Sequence, residues 1–296
     1  MLIIKLAYIY NMTEADRNFI ETCKEILEHG YSSEGTNVRT RWEDGSEANY
    51  ISIIGVSNKY NVGKEFPMIT LRNNSKKIYK AIDEILWIWQ KKSNNVHDLD
   101  SHIWDQWADE DGSIGKAYGY QMARKYEFKT KDGIKEMDQV DYVLNLLKND
   151  PSSRRIMTNL FVHDELKDMN LEPCAFGTQW LVKEGKLHLI LTQRSQDMLA
   201  ANGWNTMQYA ALLCMFAQVS ELEVGTLTHN IGDCHIYDRH IPIIKKLIEA
   251  EPMNVSPKLI INNNTKNFYD FKVEDFEVQG YEYNKSVKVG KIPVAI

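Results

Sequence analysis

Residues 205–219, NTMQYAALLCMFAQV, are apolar on almost every side of a helical wheel. A helix without a polar face has nothing to offer water, so it must be buried. This segment therefore predicts a central helix with sheet or other helices packed around it. Working outward, residues 176–192 (FGTQWLVKEGKLHLILT) predict a β-hairpin turning at Glu184–Gly185. Residues 155–162 (RIMTNLFV), 50–57 (YISIIGVS), 226–231 and 258–262 read as further strands. Helical spacing recurs over 13–29, with Thr13 as cap and Gly30 as stop, and over 75–91, with Ser75 as cap. It recurs again over 139–149, halted by Pro151, and over 238–249. Residues 1–10 read as a strand or an extension ahead of the first helix. Strands and helices mix without strict alternation, which predicts an α+β fold, a large mixed sheet against the buried helix.

The chain has 296 residues, 43% of them hydrophobic, enough for a sizeable core. No Pro/Gly/Ser-rich linker divides it, so one domain over 1–296 is expected. With 35 basic and 41 acidic residues the net charge is −6, which argues against a general nucleic-acid binder. No apolar run reaches the roughly 18 residues of a membrane span. The four cysteines form no C-x-x-C pair and are too sparse for a disulfide scaffold, so free thiols and a cytoplasmic location are expected. Neither G-x-G-x-x-G nor a Walker A loop occurs.

Three clusters could carry chemistry. Cys174, after Glu172-Pro173 in a loop, is a candidate nucleophile, or else an inert buried thiol. Cys23 and Cys214 lie on helix faces and are read as packing. Gln193-Arg194-Ser195-Gln196-Asp197 offers a guanidinium fork and a hydroxyl, the donors a phosphate needs, and Arg154-Arg155 is a second anion site. Adjacent arginines entering a strand point to opposite faces, so one ligand meets only one of them. In Asp233-Cys234-His235-Ile236-Tyr237, His235 and Tyr237 are two apart and face the same way on a strand, where both could bond one sugar hydroxyl. Cys234, His235 and His240 have no recognised metal spacing. A Cys-His hydrolase using Cys174 remains open but leaves the arginines without a role.

Taken together, EILWIWQ (84–90), HIWDQWADEDGSIGKAYGYQ (102–121), PSSRR (151–155), LEPCAFGTQW (171–180), QRSQD (193–197), WNTMQYAALL (204–213), GDCHIYDRH (232–240) and PVAI (293–296) resemble thymidylate synthase. The match runs in order from about Arg39 to Ile296, and many motifs in register are far more specific than any one. The resemblance implies reductive methylation of dUMP to dTMP, with 5,10-methylenetetrahydrofolate as one-carbon and hydride donor and no metal. It implies a homodimer formed through a face of the large sheet, with dUMP and folate as ligands and no membrane or nucleic acid as partner. Carried over by position, Cys174 is the nucleophile that adds to C6 of uracil, its thiol lowered from the ordinary value of about 8.5 by positive neighbours. Arg194 serves the phosphate and the thiolate, Arg39 and Ser195 bind the phosphate, and Arg154 and Arg155 reach it from the partner. Asn205 reads the uracil edge with one donor and one acceptor, or is simply a helix cap. His235 and Tyr237 hold the 3′-hydroxyl, Glu84 organises proton transfer, and Tyr118 assists proton removal at C5. Trp104, Trp107 and Asp197 fall at the folate site, with Asp197 also beside the substrate, and the Ile296 carboxylate closes over it.

The sequence departs from the pattern in three places. Ala201-Asn202-Gly203-Trp204 stands where Gly-Leu-Pro-Phe is common. The loop Leu-Arg-Asn-Asn-Ser-Lys-Lys is longer than usual, leaving Arg72, Lys76 or Lys77 to meet the folate tail, and residues 1–12 have no counterpart. Two rivals stand beside this reading. One is a pyrimidine-nucleotide hydroxymethylase of the same fold, in which water captures the transferred carbon. The other is a non-enzymatic role such as binding RNA, disfavoured by the net charge of −6.

Overall fold

The structure is a computed structural model, described here for residues 12–296; the expected strand or extension at 1–10 lies outside the described residues. In chain order the first elements are α1 (Glu14–His29), β1 (Tyr31–Ser32), β2 (Tyr50–Asn61), α2 (Lys77–Trp89), α3 (Gly119–Ala123), β3 (Tyr126–Thr130), β4 (Gly133–Met137) and α4 (Gln139–Asn149). There follow β5 (Met157–Asn159), β6 (Ala175–Lys183), β7 (Lys186–Asp197), α5 (Asn202–Val219), β8 (Glu223–Tyr237), α6 (Ile241–Ile248), β9 (Lys258–Ile261) and β10 (Phe276–Gln279).

α5 is the predicted central helix. Leu212, Leu213, Met215, Phe216 and Ala217 have no exposed surface. α2 covers one side and the sheet, through β7 and β8, covers another. Phe216 stacks on Trp180 with centroids 4.7 Å apart and meets Trp89 and Phe268 edge-on at 5.8 and 4.8 Å. Such offset and edge-to-face pairs suit the ring quadrupole as well as burying area.

The six-stranded sheet has the order β1-β2-β8-β7-β6-β5, with β7 and β8 parallel and every other pair antiparallel, so it is mixed as expected. Leu187, Leu189 and Leu191 alternate along β7 and are all buried. The parallel pair sets Ser195 beside Asp233 and Asp197 beside His235.

α1 begins as its sequence requires. Thr13 Oγ1 accepts from the Asp16 N–H at 3.0 Å and donates to the Asp16 carboxylate at 2.9 Å. The same carboxylate accepts from Thr70 N–H at 2.7 Å and Thr70 Oγ1 at 2.6 Å, tying α1 to the segment before α2. Burial pushes its pKa up to about 6 against these bonds.

Several bounds differ from expectation. α2 starts at Lys77, because Ser75 Oγ donates to Asn73 Oδ1 in a local turn and caps nothing. The strand over 155–162 shrinks to β5, while 226–231 is the middle of the fifteen-residue β8. The helix over 238–249 is a 3-10 turn at Asp238–His240 followed by α6, with Pro242 in its first turn. The hairpin β3–β4 has no sequence signal because neither of its faces is buried, although Phe128 does stack on Tyr142 at 3.9 Å.

Phe216→Ala should lower unfolding free energy by about 3–5 kcal/mol, the usual cost of deleting a buried aromatic ring. Ile134→Ser, at a side chain 71% exposed on β4, should stay within about 0.5 kcal/mol. Urea denaturation followed by far-UV circular dichroism measures both.

Candidate active site

A cavity of about 1040 Å³ opens where the C-terminal end of β7, the first turns of α5 and the last residues of the chain meet. That is at the upper end of the roughly 300–1,000 Å³ of ordinary ligand pockets, so a nucleotide and a second ring system fit together. Arg39, Glu84, Trp104, Trp107, Tyr118, Cys174, Arg194, Ser195, Asp197, Asn205, His235, Tyr237 and Ile296 all line it. Arg154 and Arg155 do not: both are exposed, just ahead of β5. A second hollow of about 1120 Å³, between residues 249–254 and 281–286, contains no cysteine, histidine or arginine.

Cys174 ends the loop that enters β6. Its N–H donates to the Tyr118 oxygen at 3.1 Å and its carbonyl accepts from Arg194 N–H at 2.8 Å. The Arg194 guanidinium clasps the same loop, donating to Pro173 O at 3.1 Å and to Glu172 O at 2.8 Å. Burial raises the Cys174 thiol above its ordinary pKa, against the pull of Arg194 and Arg39. This corrects the expected lowering: in one chain, removal from water outweighs two cations.

Tyr118 stands in a rare backbone conformation, φ 44° and ψ −101°. The reason is the next residue. A Cβ on Gly119 would lie 1.9 Å from the Ser93 carbonyl oxygen, so the chain presses glycine against that backbone and the turn falls on Tyr118. Its ring meets Trp104 at 5.0 Å, and Trp107 lies 5.4 Å from Trp104 on the other side. Burial and the nearby Cys174 hold its hydroxyl well above the ordinary tyrosine value.

Glu84 lies on the buried face of α2, 6% exposed. Trp104 Nε1 donates to one carboxylate oxygen at 2.7 Å; Gln208 Nε2, at 2.9 Å, and Trp204 Nε1 donate to the other. Burial pushes its pKa up to about 7 despite these three donors, near the value for a group that gives and takes protons at neutral pH.

Asn205 does not cap α5. The cap is Ala201, without a side-chain bond, and Asn205 sits in the first turn, its N–H donating to Ala201 O at 2.9 Å. Its amide is held among glutamines, accepting from Gln193 at 3.3 Å and Gln196 at 3.4 Å and donating to Gln208 at 3.4 Å. His235 donates through Nδ1 to Asp233 at 2.9 Å, which leaves Nε2 as an acceptor, and its ring lies 4.9 Å from that of Tyr237. Asp197 accepts from the N–H groups of Leu199 at 2.8 Å and Ala200 at 3.1 Å, with His240 Nδ1 at 3.4 Å. Burial works against its charge, yet His240, His235 and Ala200 keep its carboxyl below the usual range.

The chain end is strapped down at two points. Arg41 N–H donates to Ile296 O at 2.7 Å and Ile296 N–H to Arg41 O at 2.9 Å, while His240 Nε2 donates to Pro293 O at 2.8 Å. His240 is therefore occupied, and Cys234 packs its sulfur on Met198 at 3.3 Å. No group of three or more metal-ligating side chains occurs among the described residues. Of the three basic residues expected to meet the folate tail, Arg72 is buried and donates to Leu199 O at 2.7 Å, and Lys76 is exposed outside the cavity. Only Lys77 borders the cavity, and burial with nearby Arg72 lowers its amine to about 8.

Gln193, Gln208 and Asp233 orient groups that face the cavity; sequence reasoning named Gln193 and Asp233 within its clusters but gave none of the three a role. Asp233 was legible, two residues from His235 on a strand. Gln208 was legible as the residue one helical turn after Trp204.

Glu84 couples stability to pH. Because its folded pKa of about 7 lies above the ordinary 4.5, the native state holds more protons between these values. Stability therefore falls as pH rises through this window, by about 3 kcal/mol from this one group. Glu84→Gln should remove that fall, and urea denaturation of both proteins at pH 4.5 and pH 8 measures the difference. Asp16, shifted in the same direction, is common to both proteins and cancels.

Comparison with known proteins agrees with this geometry. The family model described as thymidylate synthase matches residues 17–294. A thymidylate synthase of Bacillus mojavensis is 48% identical over 276 residues, covering 92% of this chain and 96% of that protein. Thymidylate synthase 1 of Bacillus subtilis strain 168 is 46% identical over the same lengths. The solved structure of a thermostable thymidylate synthase A from Bacillus subtilis superposes with a TM-score of 0.87 at 43% identity, covering 95% of this chain and 99% of that one. The matched region holds every residue that lines the cavity except Ala295 and Ile296, and the chain belongs to the thymidylate synthase family.

Proposed function

We propose that this chain converts dUMP to dTMP, drawing the one-carbon unit and a hydride from 5,10-methylenetetrahydrofolate. The observation that carries the reading is the meeting in one cavity of a thiol, two arginines, an oriented amide and a carboxyl poised near neutrality. Arg39, Arg194 and Ser195 bind the phosphate. His235, through its free Nε2, and Tyr237 hold the 3′-hydroxyl. Asn205, fixed by glutamines on three sides, reads the donor and acceptor edge of uracil.

The Cys174 thiolate adds to C6 of the ring, which turns C5 into the nucleophile that takes up the one-carbon unit. The C5 proton then leaves, with Tyr118 and Glu84 as the groups placed to receive and relay it. As that proton leaves, the bond from the exocyclic carbon to the folate nitrogen breaks and releases tetrahydrofolate. Hydride from this tetrahydrofolate reduces the exocyclic carbon to methyl, leaving dihydrofolate, and the C6–S bond breaks to return the thiolate. Folate fits the broad mouth of the cavity, where Trp104 and Trp107 offer aromatic faces, Asp197 a carboxylate, and Lys77 a cation for the acidic tail. The Ile296 strap covers that mouth, and exclusion of water suppresses the hydroxymethyl side product.

The working unit is a homodimer and 1–296 is one catalytic unit. Met157, Gln179 and Ile190 are aligned across β5, β6 and β7, out of step with the buried Leu189 and Leu191. Met157 in this row is 52% exposed, an apolar group suited to contact with a second copy. Arg154 and Arg155 of the partner subunit then complete the phosphate site, and their charge offsets the burial that raises the thiol. No helix among the described residues is long and apolar enough to cross a membrane.

Incubation of the protein with dUMP and methylenetetrahydrofolate should give dTMP and dihydrofolate in equal amounts. Hydroxymethyl-dUMP with tetrahydrofolate would instead identify a hydroxymethylase. Cys174→Ala should reduce turnover by about 10⁴-fold or more while dUMP still binds, since an essential nucleophile has no substitute. Mixing inactive Cys174→Ala subunits with inactive Arg155→Ala subunits should restore part of the activity. Subunit exchange without any return of activity would place Arg155 outside the site.

A further inference from the structure

The residue that joins the uracil reader to the proton relay is Trp204. It lies in the first turn of α5, one residue before Asn205, and lines the cavity. Its indole N–H donates to the same Glu84 oxygen that Gln208 approaches at 2.9 Å from one turn further along α5. Gln208 in turn accepts from Asn205 at 3.4 Å. α5 therefore grips the carboxylate of another helix with two side chains of one face, and presents Asn205 from the same turn. Gln208 is a flexible amide shared with Asn205, whereas Trp204 is a rigid ring whose N–H can only donate. Phenylalanine, common at this position in the resembling pattern, has no such donor.

We propose that Trp204 is a positioning residue for Glu84: its N–H fixes the plane of the carboxylate against the cavity and favours the charged form. The inference rests on the function proposed above. The other titratable groups facing Glu84 are Asp83 on α2, Tyr209 on α5 and Tyr118 ahead of α3. None of the three carries a positive charge, and among the described residues none donates a hydrogen bond to Glu84, whose donors are Trp104, Trp204 and Gln208. A hydrogen bond to a charged group held in a buried site is among the stronger kinds, so its removal has a measurable effect.

The test titrates Glu84 directly. In protein labelled with 13C at the glutamate δ-carbons, the Glu84 resonance is identified by its loss in Glu84→Gln. Trp204→Phe keeps the ring and removes the N–H. A second variant carries β-(3-benzothienyl)alanine at 204, which has the indole shape with sulfur in place of N–H and guards against a packing defect. In both, the midpoint should rise by about one unit or more. kcat should fall about tenfold with KM for dUMP within about twofold, and the limb of the kcat pH profile should move with the midpoint. A midpoint that stays in place, or a loss confined to KM, overturns the inference. Failure of the wild type to form dTMP would strike the proposed function instead, and the titration would still decide what Trp204 does to Glu84.

Discussion

α5 has no polar face, and that constraint organises the rest of the molecule. A helix apolar all round cannot lie on a surface, so the sheet, α2 and the Phe268 segment are drawn over it. Most of its polar side chains, Asn202, Asn205, Thr206 and Gln208 with the indole N–H of Trp204, lie in its first two turns, and Gln218 in the last turn donates to Asn262 O and Thr265 O. The cavity lies at the first of these ends, where Trp204, Asn205 and Gln208 line it. Core and site are thus two ends of one element.

The polar chemistry is bought by burying charge at the edge of that core. Glu84 loses water and regains three donors from two segments, which leaves its proton affinity near neutrality. The Cys174 thiol is also raised by burial, with Arg194 and Arg39 pulling the other way. One chain therefore holds a carboxyl balanced for proton exchange and a thiol short of positive charge. The exposed Arg154-Arg155 pair lines no part of the cavity of its own chain.

Placement of the substrate-facing groups depends on strand register as much as on α5. The parallel pairing of β7 with β8 puts Ser195 against Asp233 and Asp197 against His235, joining segments some forty residues apart. Asp197 then touches His240, which holds Pro293, so the strap at the chain end is tied to the floor of the cavity. Side chains contributed by a sheet hold their geometry better than side chains on free loops.

The sequence by itself determined the elements whose signal is local. Apolar periodicity gave α1 and α4, apolarity on every side gave α5, the Glu184–Gly185 turn gave the β6–β7 hairpin, and the motif residues were named before their meeting could be seen. Thirteen of the fifteen candidate site residues line the cavity, which leaves only the Arg154-Arg155 pair for another surface to explain. Tertiary structure decided what depends on distant partners. Strand β8 runs to Tyr237 because β2 and β7 pair along its length, and Arg72 is buried with Leu199 O accepting from one of its guanidinium nitrogens. The direction of the Cys174 shift and the poise of Glu84 also lay beyond the sequence. Proton affinity is set by how much water is removed and which charges and donors replace it, and both are properties of the packed chain.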